Sequence, residues 1–121
     1  MCEQPTVLVV DDDYEIVTAA TLRLRAAGYR TRMAYDGESG VALAVKCHPD
    51  AILLDVRMPR KDGLTALREL KLRDDTKGIP VVMLSASIVD QQAALDAGAR
   101  FFLKKPYCGD TLVRAVTSAL V

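Results

Sequence analysis

The feature that most constrains this chain is a rhythm: five short apolar runs, each followed by a stretch with helical spacing. Val7–Val10 is an unbroken aliphatic run, the mark of a strand buried on both faces. Tyr14–Ala27 then places Ile16, Ala20, Leu24 and Ala27 at helical spacing, with Gly28 as the stop. Tyr29–Ala34 reads as a more polar strand at a sheet edge. Asp36–Cys47 reads as a helix with Gly40, Leu43, Ala44 and Cys47 on one face. It ends at His48-Pro49, because proline disfavours helical geometry in the residue before it. Ala51–Leu54 is the third strand, and after a loop containing Pro59, Asp62 caps a helix carrying Leu64, Leu67 and Leu70. Val81–Leu84 precedes a helix through Ala94 and Ala97. Phe101–Leu103 precedes a last helix with Leu112, Ala115, Val116 and Ala119. Strict alternation implies an α/β fold, a doubly wound five-stranded parallel sheet with helices on both faces and right-handed crossovers.

At 121 residues the chain fits one domain, residues 1–121. Sixteen basic residues balance sixteen acidic ones. Such a domain lacks the electrostatic footprint of a nucleic-acid binder, and no basic run suits a membrane surface. Cys2, Cys47 and Cys108 form no CxxC pair and are odd in number, which points to a reducing compartment without a disulfide framework. The polar start, Met1 to Thr6, has no basic flank and is not read as a signal peptide. The expectation is a cytoplasmic protein whose partners are proteins or small ligands.

Ligand sites in such sheets lie beyond the carboxyl ends of the strands, where strand order reverses. The residues that follow the strands are Asp11-Asp12-Asp13, Asp55, Ser85 and Lys104-Lys105. Carboxylates gathered at one edge repel one another, by roughly 3 kcal/mol for two charges about 5 Å apart at an effective dielectric near 20. A hard divalent cation relieves that repulsion, and Mg²⁺ suits an all-oxygen set that shares a phosphate. A carboxylate in that setting is a nucleophile toward phosphorus. Transfer then needs in-line positioning and charge neutralisation, for which Lys104 or Lys105 offers the cation and Ser85 a hydroxyl donor. Each group also has a plain reading. The acidic run fits a helix cap, with Glu15 closing a capping box on Asp12 or Asp13 acting as the cap. Ser85 fits a turn, Lys105 a solvated surface, and Phe101-Phe102 the core. The coincidence of all of them at one sheet edge favours the chemical reading.

With those residues in place the chain resembles the receiver domains of two-component response regulators over nearly its whole length. The matching stretches are Val7–Asp13, Ile52–Pro59 followed by Asp62-Gly63-Leu64, Pro80–Ala86, Ala97–Ala99 and Lys105-Pro106. The resemblance implies strand order 2-1-3-4-5 and a phosphorylation switch rather than an enzyme with external turnover. It implies Asp55 as phosphoacceptor. Asp12, Asp55 and the backbone carbonyl of Arg57 would be direct Mg²⁺ ligands, and Asp11 would hold a metal-bound water. Ser85 would turn inward to the phosphoryl group, Lys105 would pair with it, and a cis bond would precede Pro106. Phe102 stands where the family has a rotating aromatic, so phosphorylation would change the surface of the fourth helix, fifth strand and fifth helix. Arg57 and Ser87 match positions that tune phosphoryl lifetime, Arg57 by crowding the attacking water. Lys104 is read as solvated, and Phe101 as a partner-facing spot or extra packing. The implied phosphoryl donor is a sensor histidine kinase or a phosphotransfer protein.

Two rivals share parts of this pattern. A haloacid-dehalogenase-type phosphatase also uses an aspartyl phosphate with Mg²⁺, and Asp11-x-Asp13, Ser85 and a lysine imitate its motifs. It needs further acids near the fourth strand, where the chain offers Asp90, placed by the periodicity inside a helix. A pseudo-receiver would lack an acid, the phosphoacceptor or the lysine, and here each is present. The end of the chain, in or just after the fifth helix, suits a stand-alone regulator or the amino-terminal part of a longer protein.

Overall fold

The computed structural model describes residues 4–121; Cys2 lies outside them, and Cys47 and Cys108 are free. The elements alternate throughout: β1 (Thr6–Val10), α1 (Tyr14–Ala26), β2 (Arg30–Ala34), α2 (Gly37–Cys47), β3 (Ala51–Asp55), α3 (Gly63–Leu72), β4 (Val81–Ser85), α4 (Asp90–Asp96), β5 (Phe101–Lys104) and α5 (Gly109–Ala119). The five strands form one parallel sheet in the order β2-β1-β3-β4-β5, which is the expected doubly wound arrangement.

The aliphatic runs are buried on both faces because alternate residues serve opposite layers. Leu8, Val10, Ile52, Leu54, Val81 and Met83 pack against Ala44 of α2, Leu67 and Leu70 of α3 and Ala94 of α4. Val7, Val9, Leu53, Val82 and Leu84 pack against Val17, Ala20 and Leu24 of α1 and Leu112 and Val116 of α5. β2 is the polar edge strand, and its burial is nearly confined to Ala34.

Local chemistry sets the helix ends, with some differences from the sequence expectation. Asp13, not Asp12, caps α1, accepting from the backbone N–H groups of Glu15 (3.0 Å) and Ile16 (3.3 Å). This leaves Asp12 exposed and outside the cap. The buried stripe of α1 runs through Val17, Ala20, Thr21 and Leu24. Ile16 instead lines a cleft with Pro106 and Tyr107, and Ala27 is the exposed C-cap. Gly28 at φ +99° closes that helix in the left-handed region. Asp36 and Asp62 cap α2 and α3 through the N–H groups of Ser39 (2.7 Å) and Thr65 (2.8 Å). Among the described residues no helix is long and apolar enough to cross a membrane.

Candidate functional site

β1 and β3 are neighbours whose following helices cover opposite faces, so their carboxyl ends open a crevice where the winding reverses. Asp11 leaves β1 into that crevice and is fully buried. Its Oδ1 accepts from the Asp13 N–H at 3.0 Å. Asp55 is the last residue of β3 and only 4% exposed. Asp12 is exposed on the rim, yet carboxylate oxygens of Asp11, Asp12 and Asp55 all lie within 4.8 Å of one another.

Lys105 answers this concentration of charge. Its backbone N–H donates to the Ser85 carbonyl at 2.7 Å, which pins it beside the end of β4. Its Nζ lies 2.7 Å from Asp11 Oδ2 and 3.0 Å from Asp55 Oδ1. The Lys105-Pro106 bond is cis. Lys104, one residue earlier, is exposed, and its ammonium donates to the Lys105 carbonyl at 3.3 Å. Lys104 is the last residue of β5, and Lys105, the first beyond it, is the one that enters the crevice.

One ammonium does not satisfy three carboxylates. Burial first, then the Asp11 charge, push the Asp55 carboxyl up to about 6, against the opposing pull of Lys105. Burial likewise raises Asp11 above its ordinary value. Burial opposes the charged form of Lys105, but its hydrogen bonds to Asp11 and Asp55 outweigh it and push the ammonium up. Three oxygen donors with a residual negative charge, two of them buried, fit a hard divalent cation.

The raised Asp55 carboxyl couples folding to pH. A folded-state value near 6 against 3.8 unfolded means that the folded chain binds more protons between those values. Asp55 therefore weakens the metal-free fold above pH 6, and the penalty disappears as the pH falls below about 4. Asp55→Asn is expected to raise metal-free stability by about 2–3 kcal/mol at pH 8, the equivalent of the shift. Urea titrations in a chelator should show that gain shrinking toward zero by pH 4; a gain independent of pH would rule out the electrostatic origin.

Ser85 shares the rim but is committed elsewhere. Its hydroxyl donates to Asp90 Oδ2 at 2.6 Å and accepts from the Ser87 N–H at 3.1 Å. Asp90 in turn accepts from Arg57 Nε at 3.3 Å and Nη2 at 3.2 Å. Sequence reasoning missed this group: Asp90 opens α4, buried at its first position, instead of lying inside a longer helix. A five-residue step across a loop carries no periodic signal that joins Asp90 to Ser85. The Arg57 side chain is exposed and paired with that carboxylate. The Ser87 hydroxyl accepts from the Val89 N–H at 3.3 Å.

The two phenylalanines of β5 face opposite layers. Phe102 is half-buried opposite Met83, against the layer that holds Ala94 and Ala99. Phe101 is half-buried against the α1 and α5 layer, so at least part of its ring serves packing.

Comparison with known proteins agrees with this geometry. A family model, the response regulator receiver domain, matches residues 7–117. The DNA-binding dual master transcriptional regulator RpaA of Synechocystis is 38% identical over 118 residues, covering 96% of this chain and 49% of that protein. The chain thus spans about half the length of the curated relatives it matches. Among solved structures, the chemotaxis response regulator CheY4 of Vibrio cholerae superposes with TM-score 0.92 at 30% identity, covering 98% of this chain and all of that one. The receiver domain of a sensor histidine kinase from Pseudomonas aeruginosa, which holds a magnesium ion in its active-site cleft, gives 0.89 at 31% identity and 98% coverage of both chains.

Proposed function

This chain belongs to the response regulator receiver domain family, the phosphorylation switch of two-component systems, and on that premise we propose that Asp55 is its phosphoacceptor. The observation that carries the assignment is the convergence of Asp11, Asp12, Asp55 and Lys105 around one carboxylate at the sheet's switch point. At pH 7 a carboxyl with a value near 6 is roughly nine-tenths ionised, and so ready to act as a nucleophile. Its oxygen forms the bond to phosphorus while the phosphorus–nitrogen bond of a phosphohistidine donor breaks, and the imidazole leaves with the electron pair.

Asp12, Asp55 and the Arg57 carbonyl would hold Mg²⁺, with Asp11 acting through a water. The ion supplies charge neutralisation for the phosphoryl oxygens. Lys105, already between Asp11 and Asp55, would shift toward the incoming phosphoryl oxygens. Ser85 would exchange Asp90 for a phosphoryl oxygen, and Phe102 would follow into the space released. Phosphorylation selects that arrangement by its differential contacts, so both states exist beforehand and their ratio changes. Arg57 and Ser87 would tune the lifetime of the phosphoryl group. The donor is a sensor histidine kinase or phosphotransfer protein in the cytoplasm, and residues 1–121 act as one receiver unit. A phosphatase reading gains no support, because Asp90 meets Ser85 and stands apart from the carboxylate cluster.

Incubation with acetyl phosphate and Mg²⁺, followed by intact mass, tests the assignment. Wild type should gain a single labile phosphoryl group, and the gain should vanish in Asp55→Asn or in a chelator. Labelling that persists in Asp55→Asn, or multiple turnover of a generic phosphate ester, would overturn it.

A further inference from the structure

The Ser85, Asp90 and Arg57 network has a consequence for the switch. A hydroxyl has one hydrogen to donate, and that of Ser85 is given to Asp90 across 2.6 Å, in the range of a charge-assisted O–H···O⁻ bond. Asp90 is only 8% exposed, so water competes weakly for either partner. The lone-pair side of the same hydroxyl is occupied by the Ser87 N–H. Arg57 places two nitrogens on the two Asp90 oxygens, a forked contact that fixes the plane of the carboxylate. Ser85 thus cannot donate inward without breaking its bond to Asp90.

We propose that Asp90 is a positioning residue that holds the Ser85 hydroxyl away from the phosphoryl position, with Arg57 orienting Asp90. Resting on the assignment of Asp55 as phosphoacceptor and Ser85 as switch hydroxyl, it adds the group against which the phosphoryl oxygens must compete. Asp90 and the phosphoryl group compete for one proton donor. The strength of the Ser85–Asp90 bond therefore sets how far the resting equilibrium lies toward the outward state. Losing a hydrogen bond to a charged acceptor should move that equilibrium by about tenfold. Losing Arg57, whose pair with Asp90 is open to solvent on the arginine side, should move it by only about two- to threefold.

The test is a double-mutant cycle on the affinity for beryllofluoride, a tetrahedral phosphoryl mimic, measured by calorimetry in saturating Mg²⁺. Asp90→Ala should tighten binding about tenfold when Ser85 is present and by less than twofold in a Ser85→Ala background. Asp90→Asn keeps an acceptor but gives up the charge, and should tighten binding about threefold. Arg57→Ala should tighten it two- to threefold, and should have no effect once Asp90 is removed. These two milder variants carry the test if Asp90→Ala fails to fold. Equal effects of Asp90 substitution with and without Ser85, or weaker binding in any of the three, would overturn the proposal. Asp55→Asn separates the two layers. If it still binds beryllofluoride, the phosphoacceptor assignment fails; if binding is lost while the cycle is flat, only the positioning role fails.

Discussion

Lys105→Met should cost the metal-free protein about 3–5 kcal/mol at pH 8, the usual penalty for removing one partner of a buried ion pair. Methionine keeps most of the apolar stem, so the loss falls on the ammonium that lies 2.7 Å from Asp11 and 3.0 Å from Asp55. Those carboxylates are nearly inaccessible to water and repel each other, and Lys105 is their shared counter-charge. Two rescues follow from that cause. Lowering the pH toward 5 protonates Asp55, whose value must rise further once Lys105 is gone, and should restore much of the stability. Millimolar Mg²⁺ should do the same by binding the folded state alone. Urea denaturation of wild type and variant, with and without Mg²⁺, at pH 5 and pH 8, reads all of this. A deficit that neither acid nor Mg²⁺ reduces would mean that the side chain acts through packing and that the charge argument is wrong.

Gly63→Ala should cost about 3 kcal/mol or more, at the upper end of overpacking penalties. Gly63 is the first residue of α3, and its N–H donates to the Val56 carbonyl at 2.7 Å. A Cβ at this position would overlap the Asp55 carbonyl oxygen and stand 2.8 Å from Val56 Cα. Both neighbours are backbone, so no side chain can swing away, and either β3 or α3 must move. Asp55 lies on the strand end that would be pushed, so the same substitution should slow acetyl-phosphate labelling more than its loss of stability explains. Thermal melts paired with labelling rates below the melting range check both parts. A variant as stable and as reactive as wild type would show that the close approach is not a constraint.

Much of this was written in local pattern. The run Val7-Leu8-Val9-Val10 reads as a doubly buried strand because every residue in it is aliphatic. In the fold those residues feed the two layers alternately. Asp62 reads as a cap because the N–H it satisfies lies three residues on, whereas Asp36, read as the first helical residue, turns out to cap its helix by the same local bond. Helix faces were less legible: α1 buries Val17 and Thr21, while Ile16, a stronger hydrophobe, is left in a cleft beside the loop that follows β5. The acidic run was divided between its two readings, since Asp13 caps the helix while Asp11 and Asp12 face the site. Local pattern left the adjacent lysines alike and the family resemblance alone chose Lys105, which in the structure enters the crevice just past β5 while Lys104 stays at the surface.

By itself, the order of residues determined the element sequence, the parallel α/β architecture and the set of chemical groups delivered to one sheet edge. Those properties depend on periodicity and on contacts only a few residues long. The tertiary structure alone decided which carboxylates share Lys105, how far burial lifts Asp55, and that Asp90 takes the Ser85 proton. The reason is physical: a pKa and a hydroxyl's direction are set by neighbours brought in through space, by desolvation and by charges tens of residues away along the chain. No window of local sequence contains them.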